Sequence, residues 1–192
     1  GRYSIAMMLT EELTRTRKVV PVQIFASDID KDALDFARQG VYPNSIQADV
    51  SPDRLQRFFV KIEGNDHFRV GKQIREMVVF AEQNLIGDPP FSKLDLVCCR
   101  NLLIYLKPDV QEKVITLFHF ALRETGLLFL GTAETIGRQS DLFRPMSKRW
   151  RIFRRTGPPR PERVEIPVTA GAPRREVGIP EQHAGDMRES RL

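Results

Sequence analysis

The sequence predicts an α/β protein built on a mainly parallel β-sheet. Short apolar runs alternate along the chain with segments whose apolar residues recur at helical spacing, and this alternation is typical of sheets covered by helices. Residues 22–26 and 94–99 are two such runs, and polar residues follow each of them at once. With 192 residues and a hydrophobic content of 41%, the chain can form one domain with a substantial core.

The first forty residues predict two helices on either side of a buried strand. Residues 4–16 carry apolar side chains at helical spacing. The strand at residues 22–26 leads into an acidic turn that contains Asp28 and Asp30. Asp30 is placed to cap the next helix, and Gly40 stands where a C-terminal cap is expected.

The following segment predicts a small antiparallel insertion. Ser51 and the proline after it open a short helix. Residues 60–62, 68–70 and 77–80 are short β-like runs, and a polar turn separates the first two. We therefore expect a β-subdomain at about residues 57–80, before the chain returns to the main sheet.

The rest of the chain predicts three more strands, one long helix and a tail. Strand 94–99 precedes an amphipathic helix at residues 109–122, and strand 126–131 follows it. Residues 149–154 predict a strand at or near an edge of the sheet, because they are strongly charged. From residue 157 to residue 192, Pro, Arg, Glu and Gly dominate without a period, which predicts a linker or disordered tail.

Charge is concentrated in one short segment. The formal net charge is +5, and residues 144–155 contain six Lys or Arg residues and no acidic residue. We interpret this segment as a solvated strand face, with an acidic protein partner as the alternative. Nucleic acid is not expected as a partner, because the aromatic residues here, such as Trp150, fit strand packing better than a base-stacking platform.

Other function classes are excluded by simple features. No apolar run approaches the roughly 20 residues that span a bilayer. The two cysteines, Cys98 and Cys99, are neighbours in a predicted strand and therefore point to opposite faces. Neither a structural disulfide nor a metal site is expected from them, and a reducing, cytoplasmic location fits.

Polar residues follow three of the predicted strands, where open parallel sheets bind their ligands. Asp28 can accept hydrogen bonds from the ribose hydroxyls of a nucleoside cofactor, although a helix cap would have the same spacing. Asn84 and Leu85 can contact an adenine ring, although an Asn in a loop is often only a turn residue. Arg100 and Asn101 begin the most specific stretch of the chain, which runs on to a tyrosine.

These segments together resemble one family. In order and spacing, the chain resembles the CheR methyltransferases, which use S-adenosylmethionine (SAM), over about residues 3–155. The resemblance rests on the blocks at residues 24–30, 37–42, 84–85 and 95–105. The closing run at residues 142–153 is similar to versions found in fused CheB/CheR sensory proteins.

The resemblance implies a Rossmann-like methyltransferase sheet with a small antiparallel β-subdomain, in a domain at residues 1–156. It implies a protein-glutamate O-methyltransferase that uses SAM and modifies cytoplasmic helices of chemoreceptors, with fused CheB or sensory domains as further partners. The implied cofactor-binding residues are Asp28 at the ribose, Asn84 and Leu85 at the adenine, and Arg100 and Asn101 lining the pocket.

The implied catalytic residues are Tyr105, near the transferred methyl group, and Arg100. No general base is needed, because the accepting glutamate is already ionised at neutral pH, and no metal is implied. The family carries a helical N-terminal domain and a Gly-containing acidic loop before the helix at residues 4–16. Since Gly1 stands where that loop finishes, we expect an N-terminally truncated domain that binds SAM weakly and methylates poorly.

Two other functions stay open at this point. A nicotinamide-dependent oxidoreductase also places an acidic residue after a strand, although it has no role for residues 100–105. A non-catalytic sensory or docking module of a fusion protein is the second alternative.

Overall fold

The computed structural model describes residues 2–158 of the chain. Within this range the helices are α1 (Arg2–Arg15), α2 (Lys31–Gln39), α3 (Pro52–Phe58), α4 (Lys72–Glu76) and α5 (Pro108–Ala121). The strands are β1 (Ile24–Asp28), β2 (Val41–Pro43), β3 (Phe59–Lys61), β4 (His67–Val70), β5 (Val78–Glu82), β6 (Leu94–Cys99), β7 (Leu122–Leu130), β8 (Phe143–Ser147) and β9 (Ile152–Arg155). Short 3₁₀ helices cover Asn44–Ala48 and Leu103–Tyr105.

The strands form three sheets that together give a mixed α/β architecture. Strands β1 and β5 pair in parallel. The largest sheet has the order β6-β7-β9-β8, with β6 and β7 parallel and the remaining pairs antiparallel. The small sheet β2-β4-β3 is antiparallel. The predicted α/β fold with parallel strands and an antiparallel insertion is therefore confirmed.

Local capping chemistry sets the ends of α2 and α3 as predicted. The Asp30 carboxylate accepts a hydrogen bond of 3.0 Å from the Ala33 amide at the start of α2. Gly40 ends that helix in the left-handed conformation, with φ of 63°, which costs glycine little. The Ser51 hydroxyl accepts a bond of 3.4 Å from the Arg54 amide at the start of α3.

Other predicted bounds need correction. Strand β9 begins at Ile152 and lies between β7 and β8, so the edge belongs to β8, which was not predicted. Residues 149–151 form the turn before β9, and Trp150 in that turn is 57% exposed instead of packing in a strand. The hairpin was missed because β8 contains Arg144 and Pro145, which do not alternate with apolar residues.

The small antiparallel sheet is larger than the sequence pattern indicated. Strand β2, at Val41–Pro43, pairs with β4 and adds a third strand. Helix α4 then connects β4 to β5. Both elements are too short for a periodic signal in the sequence. The predicted tail at residues 157–192 lies almost entirely outside the described residues.

Two apolar clusters hold the sheets and helices together. One joins β1 and β5 to α1 and α2, and its most buried side chains include Ala6 and Leu34, at 0% and 1% exposure. The other joins the largest sheet to α5, with Leu128 and Phe143 at 0% and 1%. Among the helices of the described residues, none has the length and apolar character needed to cross a membrane.

Candidate functional site

The carboxyl ends of β1 and β5 lie side by side. The two strands are in parallel register, with Asp28 opposite Glu82 at their ends. The Gln83 amide continues this pairing by donating a hydrogen bond of 3.0 Å to the Asp28 carbonyl oxygen. The half-buried Asp28 also accepts a bond of 3.3 Å from the Asp30 amide through its carboxylate. Asp28 and the loop after β5 therefore lie next to each other at the carboxyl-terminal edge of the β1–β5 sheet.

The loop after β5 is folded around Asn84. The Asn84 Oδ1 atom accepts hydrogen bonds from the amides of Ile86 at 3.0 Å and Gly87 at 3.3 Å. The backbone N–H of Asn84 donates a hydrogen bond of 2.7 Å to the Asp88 carboxylate. Leu85 packs against the apolar cluster of the largest sheet. The turn role that the sequence left open for Asn84 is thus real, and the turn holds Leu85 against the apolar cluster of the largest sheet.

Gln83 is a residue of this edge that sequence reasoning missed. Its side chain is 8% exposed, and its Nε2 atom donates to the Pro89 carbonyl at 3.1 Å. The Gln83 Oε1 atom is buried and has no hydrogen-bond partner among the described residues. A buried acceptor without a partner is costly, so this oxygen is a strained point directly before the loop that Asn84 folds. No pattern in the sequence distinguishes such a glutamine from an exposed one.

The loop after β6 makes a sharp turn against the end of β7. Asn101 has φ of 60°, a conformation that asparagine adopts more readily than most residues. A Cβ atom on Gly131 would lie 2.7 Å from the Glu134 Oε2 atom and 3.1 Å from the Asn101 Oδ1 atom. A side chain at this position would therefore push against the carboxylate of Glu134 and the turn at Asn101. Arg100 lies over the Phe129 ring, with its Cζ atom 5.2 Å from the ring centre.

Glu134 holds this loop in place and was also missed from the sequence. It is 2% exposed. Its Oε1 atom accepts hydrogen bonds from the amides of Leu102 and Leu103, both at 2.8 Å, and its Oε2 atom accepts one of 2.7 Å from Gly131. A buried carboxylate that receives three backbone amides fixes two chain segments at once. The partners are some thirty residues apart in sequence, so spacing alone could not reveal them.

Helix α5 supports the other end of the same loop. The Gln111 amide group donates hydrogen bonds of 2.9 Å to the carbonyl oxygens of Leu103 and Leu106. Tyr105, on the 3₁₀ turn between them, is 80% exposed. The backbone around Tyr105 is therefore held while its phenol ring is presented to solvent.

The predicted site residues fall into two groups at the carboxyl ends of parallel strands. Asp28 and Asn84 lie at the β1–β5 edge, whereas Arg100, Asn101 and Tyr105 follow β6. Strands β1 and β6 are not hydrogen-bonded to each other among the described residues. The structure thus brings the residues together within each group, and Leu85 packs from the first group onto the core of the second.

Neither cysteine is a candidate nucleophile. Cys98 is exposed and Cys99 buried, as the strand alternation predicted. Burial, reinforced by the nearby negative charge of Glu134, raises the pKa of Cys99 to about 12. Partial desolvation also raises the pKa of Cys98, although its side chain is exposed, and the positive charge of Arg100 opposes this shift. Both thiols are protonated at neutral pH, and a thiol is far less reactive than a thiolate.

Comparison with known proteins gives one family. Residues 2–152 match the family model described as CheR methyltransferase, SAM binding domain. The chain is also 35% identical over 164 residues to a putative methyltransferase, Cher3, of Pseudomonas putida, covering 80% of this chain and 58% of that protein. A chemotaxis protein methyltransferase of Vibrio parahaemolyticus is 35% identical, over 73% of this chain and 52% of that protein.

A third relative is much longer. An uncharacterized 104.1 kDa protein of Rhodobacter capsulatus, encoded in the hypE 3′ region, is 36% identical over 88% of this chain and only 19% of its own length. The chain therefore spans about half the length of two of these relatives and about a fifth of the third.

Proposed function

The chain belongs to the CheR methyltransferase family, and from this membership we propose that it transfers methyl groups from SAM to glutamate side chains of chemoreceptors. The products would be glutamate methyl esters that adjust chemotactic or related sensory signalling. The family's SAM-binding domain indicates SAM as the cofactor. The observation that supports the proposal most directly is the polar loop at residues 100–105, which Glu134 holds against the end of β7.

The residues at the two strand edges fit a nucleoside cofactor. We assign Asp28 to the ribose hydroxyls, since it follows a parallel strand and its carboxylate is only half-buried. Asn84 and Leu85 would bind the adenine, on the loop that directly follows β5. Arg100 and Asn101 would line the opposite side, on the loop after β6.

These residues would mainly have to align the accepting carboxylate with the methyl group of SAM. When bound, SAM supplies a methyl group that is already activated for transfer. Arg100 is exposed and positively charged, so it would attract the carboxylate that accepts the methyl group. Tyr105 would orient that carboxylate through its exposed phenol group. Holding acceptor and methyl group in line accounts for most of the rate enhancement needed.

The chemoreceptor substrate is proposed from the relatives. Curated relatives from Vibrio parahaemolyticus and Pseudomonas aeruginosa are named chemotaxis protein methyltransferases. Because this chain spans about half their length, receptor recognition in the whole protein would also involve segments beyond it. Fused CheB or sensory domains remain a proposal that rests on the resemblance of residues 142–153.

The alternatives are less well supported. A nicotinamide-dependent oxidoreductase is disfavoured because residues 2–152 match a methyltransferase family. A non-catalytic docking module would not need the loop at residues 100–105 to be fixed by both Glu134 and Gln111.

A ligand titration tests the cofactor assignment. We expect S-adenosylhomocysteine and SAM to bind the chain more tightly than NADH in isothermal titration calorimetry. Asp28, Asn84 and Leu85 are assigned to the adenosine that all three ligands share, whereas the loop after β6 is assigned to the remainder of SAM, which NADH lacks. Adenosine, which lacks the amino-acid portion, should bind more weakly than S-adenosylhomocysteine. Tighter binding of NADH would contradict the assignment.

A further inference from the structure

A basic surface that the proposed reaction does not use lies at the end of the largest sheet. We define the basic hairpin as residues 143–155, comprising β8, the turn at residues 148–151, and β9. It contains six Lys or Arg residues and no Asp or Glu. Arg155 is buried and donates to the Leu122 carbonyl oxygen, so it is part of the core. Of the remaining five, four are exposed and Arg151 is half-buried.

Three of these cations converge on one cavity. Arg144, Lys148 and Arg151 line a cavity of about 540 Å³, together with the hydroxyl-bearing Thr135 and Ser140. Its lining contains no acidic residue. Within the described residues, none of the three cations forms a salt bridge. The cavity therefore offers positive charge and hydroxyl donors to a carboxylate without a competing acid of its own.

The hairpin borders the same edge of the sheet as the candidate site. Phe129 pairs with Ile152 near the end of β7. The Leu130 amide then donates to the Arg151 carbonyl oxygen at 3.0 Å, and the Arg151 Nε atom donates to the Thr132 carbonyl oxygen at 3.3 Å. Thr132 follows Gly131, which Glu134 ties to the loop after β6. The basic hairpin and the loop at residues 100–105 therefore flank the same end of β7.

We propose that the basic hairpin docks the carboxylate-rich segment that surrounds the target glutamate of the protein substrate. This inference rests on the proposed function and adds a recognition surface to it. Complementary charge carries the argument, since uncompensated cations next to the site would attract and orient an acidic chain. Nucleic acid is a poorer occupant, because Trp150, the aromatic ring of the turn, lies against the Arg149 guanidinium at 4.8 Å.

The charge of the substrate would change as the reaction proceeds. Esterification removes one negative charge from the docked segment for each glutamate modified. The hairpin would therefore hold an unmodified segment more tightly than its methylated form, which would favour release of the product.

Trp150 gives a direct probe of this surface. It is the only tryptophan in the chain and lies in the turn of the hairpin, 57% exposed. We would follow its fluorescence while titrating the chain with a glutamate-rich synthetic peptide, and with a counterpart in which every glutamate is glutamine. We expect saturable binding of the glutamate peptide that weakens as salt is added, and much weaker binding of the glutamine peptide.

Charge reversal should locate the site. The double variant Arg144→Glu/Lys148→Glu is expected to raise the Kd of the glutamate peptide about tenfold, because two attractions become repulsions. Lys18→Glu/Lys113→Glu makes the same change in net charge at exposed positions on other elements, and it should change the Kd less than about twofold. Equal effects of the two variants would overturn the proposal.

The remaining outcomes are equally decisive. Equal binding of the glutamate and glutamine peptides, or tighter binding of inorganic phosphate or a single-stranded oligonucleotide, would also overturn it. Because this readout needs neither SAM nor methyl transfer, docking and catalysis can fail separately. Peptide binding at the hairpin without methyl transfer would leave the docking surface standing and refute the proposed reaction. If Arg144→Glu/Lys148→Glu transferred methyl groups with an unchanged KM for the protein substrate, the docking surface would be refuted and the proposed reaction would be supported.

Discussion

Replacing Glu134 with alanine is expected to lower the free energy of unfolding by about 4 kcal/mol, because three backbone amides, two of them buried, lose a charged acceptor at once. The amides belong to Leu102, Leu103 and Gly131. The loop at residues 100–105 would lose its support in the same step, so methyl transfer should fall even where the variant stays folded. Urea denaturation followed by circular dichroism measures the first effect.

Two further variants make this result specific. Glu124→Ala removes an exposed carboxylate from β7 and should change stability by no more than about 0.5 kcal/mol. Glu134→Gln keeps one acceptor oxygen, but its NH₂ group would face the backbone N–H groups that the other oxygen now accepts from. Its loss of stability should therefore lie between those of Glu124→Ala and Glu134→Ala. If Glu134→Ala were as stable as Glu124→Ala, the role assigned to this carboxylate would be wrong.

Replacing Asp28 with alanine is expected to weaken binding of S-adenosylhomocysteine about 100-fold, because the two charge-assisted hydrogen bonds that we propose between its carboxylate and the ribose hydroxyls would be lost. Asp28→Asn keeps one acceptor oxygen and should lose about tenfold. Isothermal titration calorimetry at one pH gives both values.

The neighbouring Asp32 provides the matched control. It lies exposed in the first turn of α2, so Asp32→Ala removes the same charge from the same region without touching the edge of the sheet. We expect its Kd for S-adenosylhomocysteine to match that of the unmodified chain. If Asp32→Ala weakened binding of S-adenosylhomocysteine as much as Asp28→Ala, the effect would come from the net negative charge of this region and not from a direct contact of Asp28.

Features that depend on neighbouring residues were predictable from the sequence. Asp30, Gly40 and Ser51 act within one helical turn, and their capping roles are observed. The opposite exposures of Cys98 and Cys99 follow from the same local geometry. The polar residues that follow the predicted strands lie at the carboxyl ends of β1, β5 and β6, because strand direction alone sets that position.

Features that depend on distant partners were not predictable. The acceptor role of Glu134 and the buried Oε1 atom of Gln83 arise only once β5, β6 and β7 are in place. The position of β9 inside its sheet required a partner strand, β8, whose sequence carries no alternating pattern. For the same reason residues 149–154 were predicted as one strand at or near an edge, whereas residues 143–155 form a hairpin that lines a cavity.

Transfer of radiolabelled methyl groups from SAM to a chemoreceptor cytoplasmic fragment tests most directly whether this chain methylates glutamate, as we propose. We expect slow but measurable labelling that mild base releases as methanol, since methyl esters are base-labile. The labelling should be lost in Asp28→Ala and retained in Asp32→Ala. No labelling by a chain that binds S-adenosylhomocysteine normally, or a label that resists base, would contradict the account.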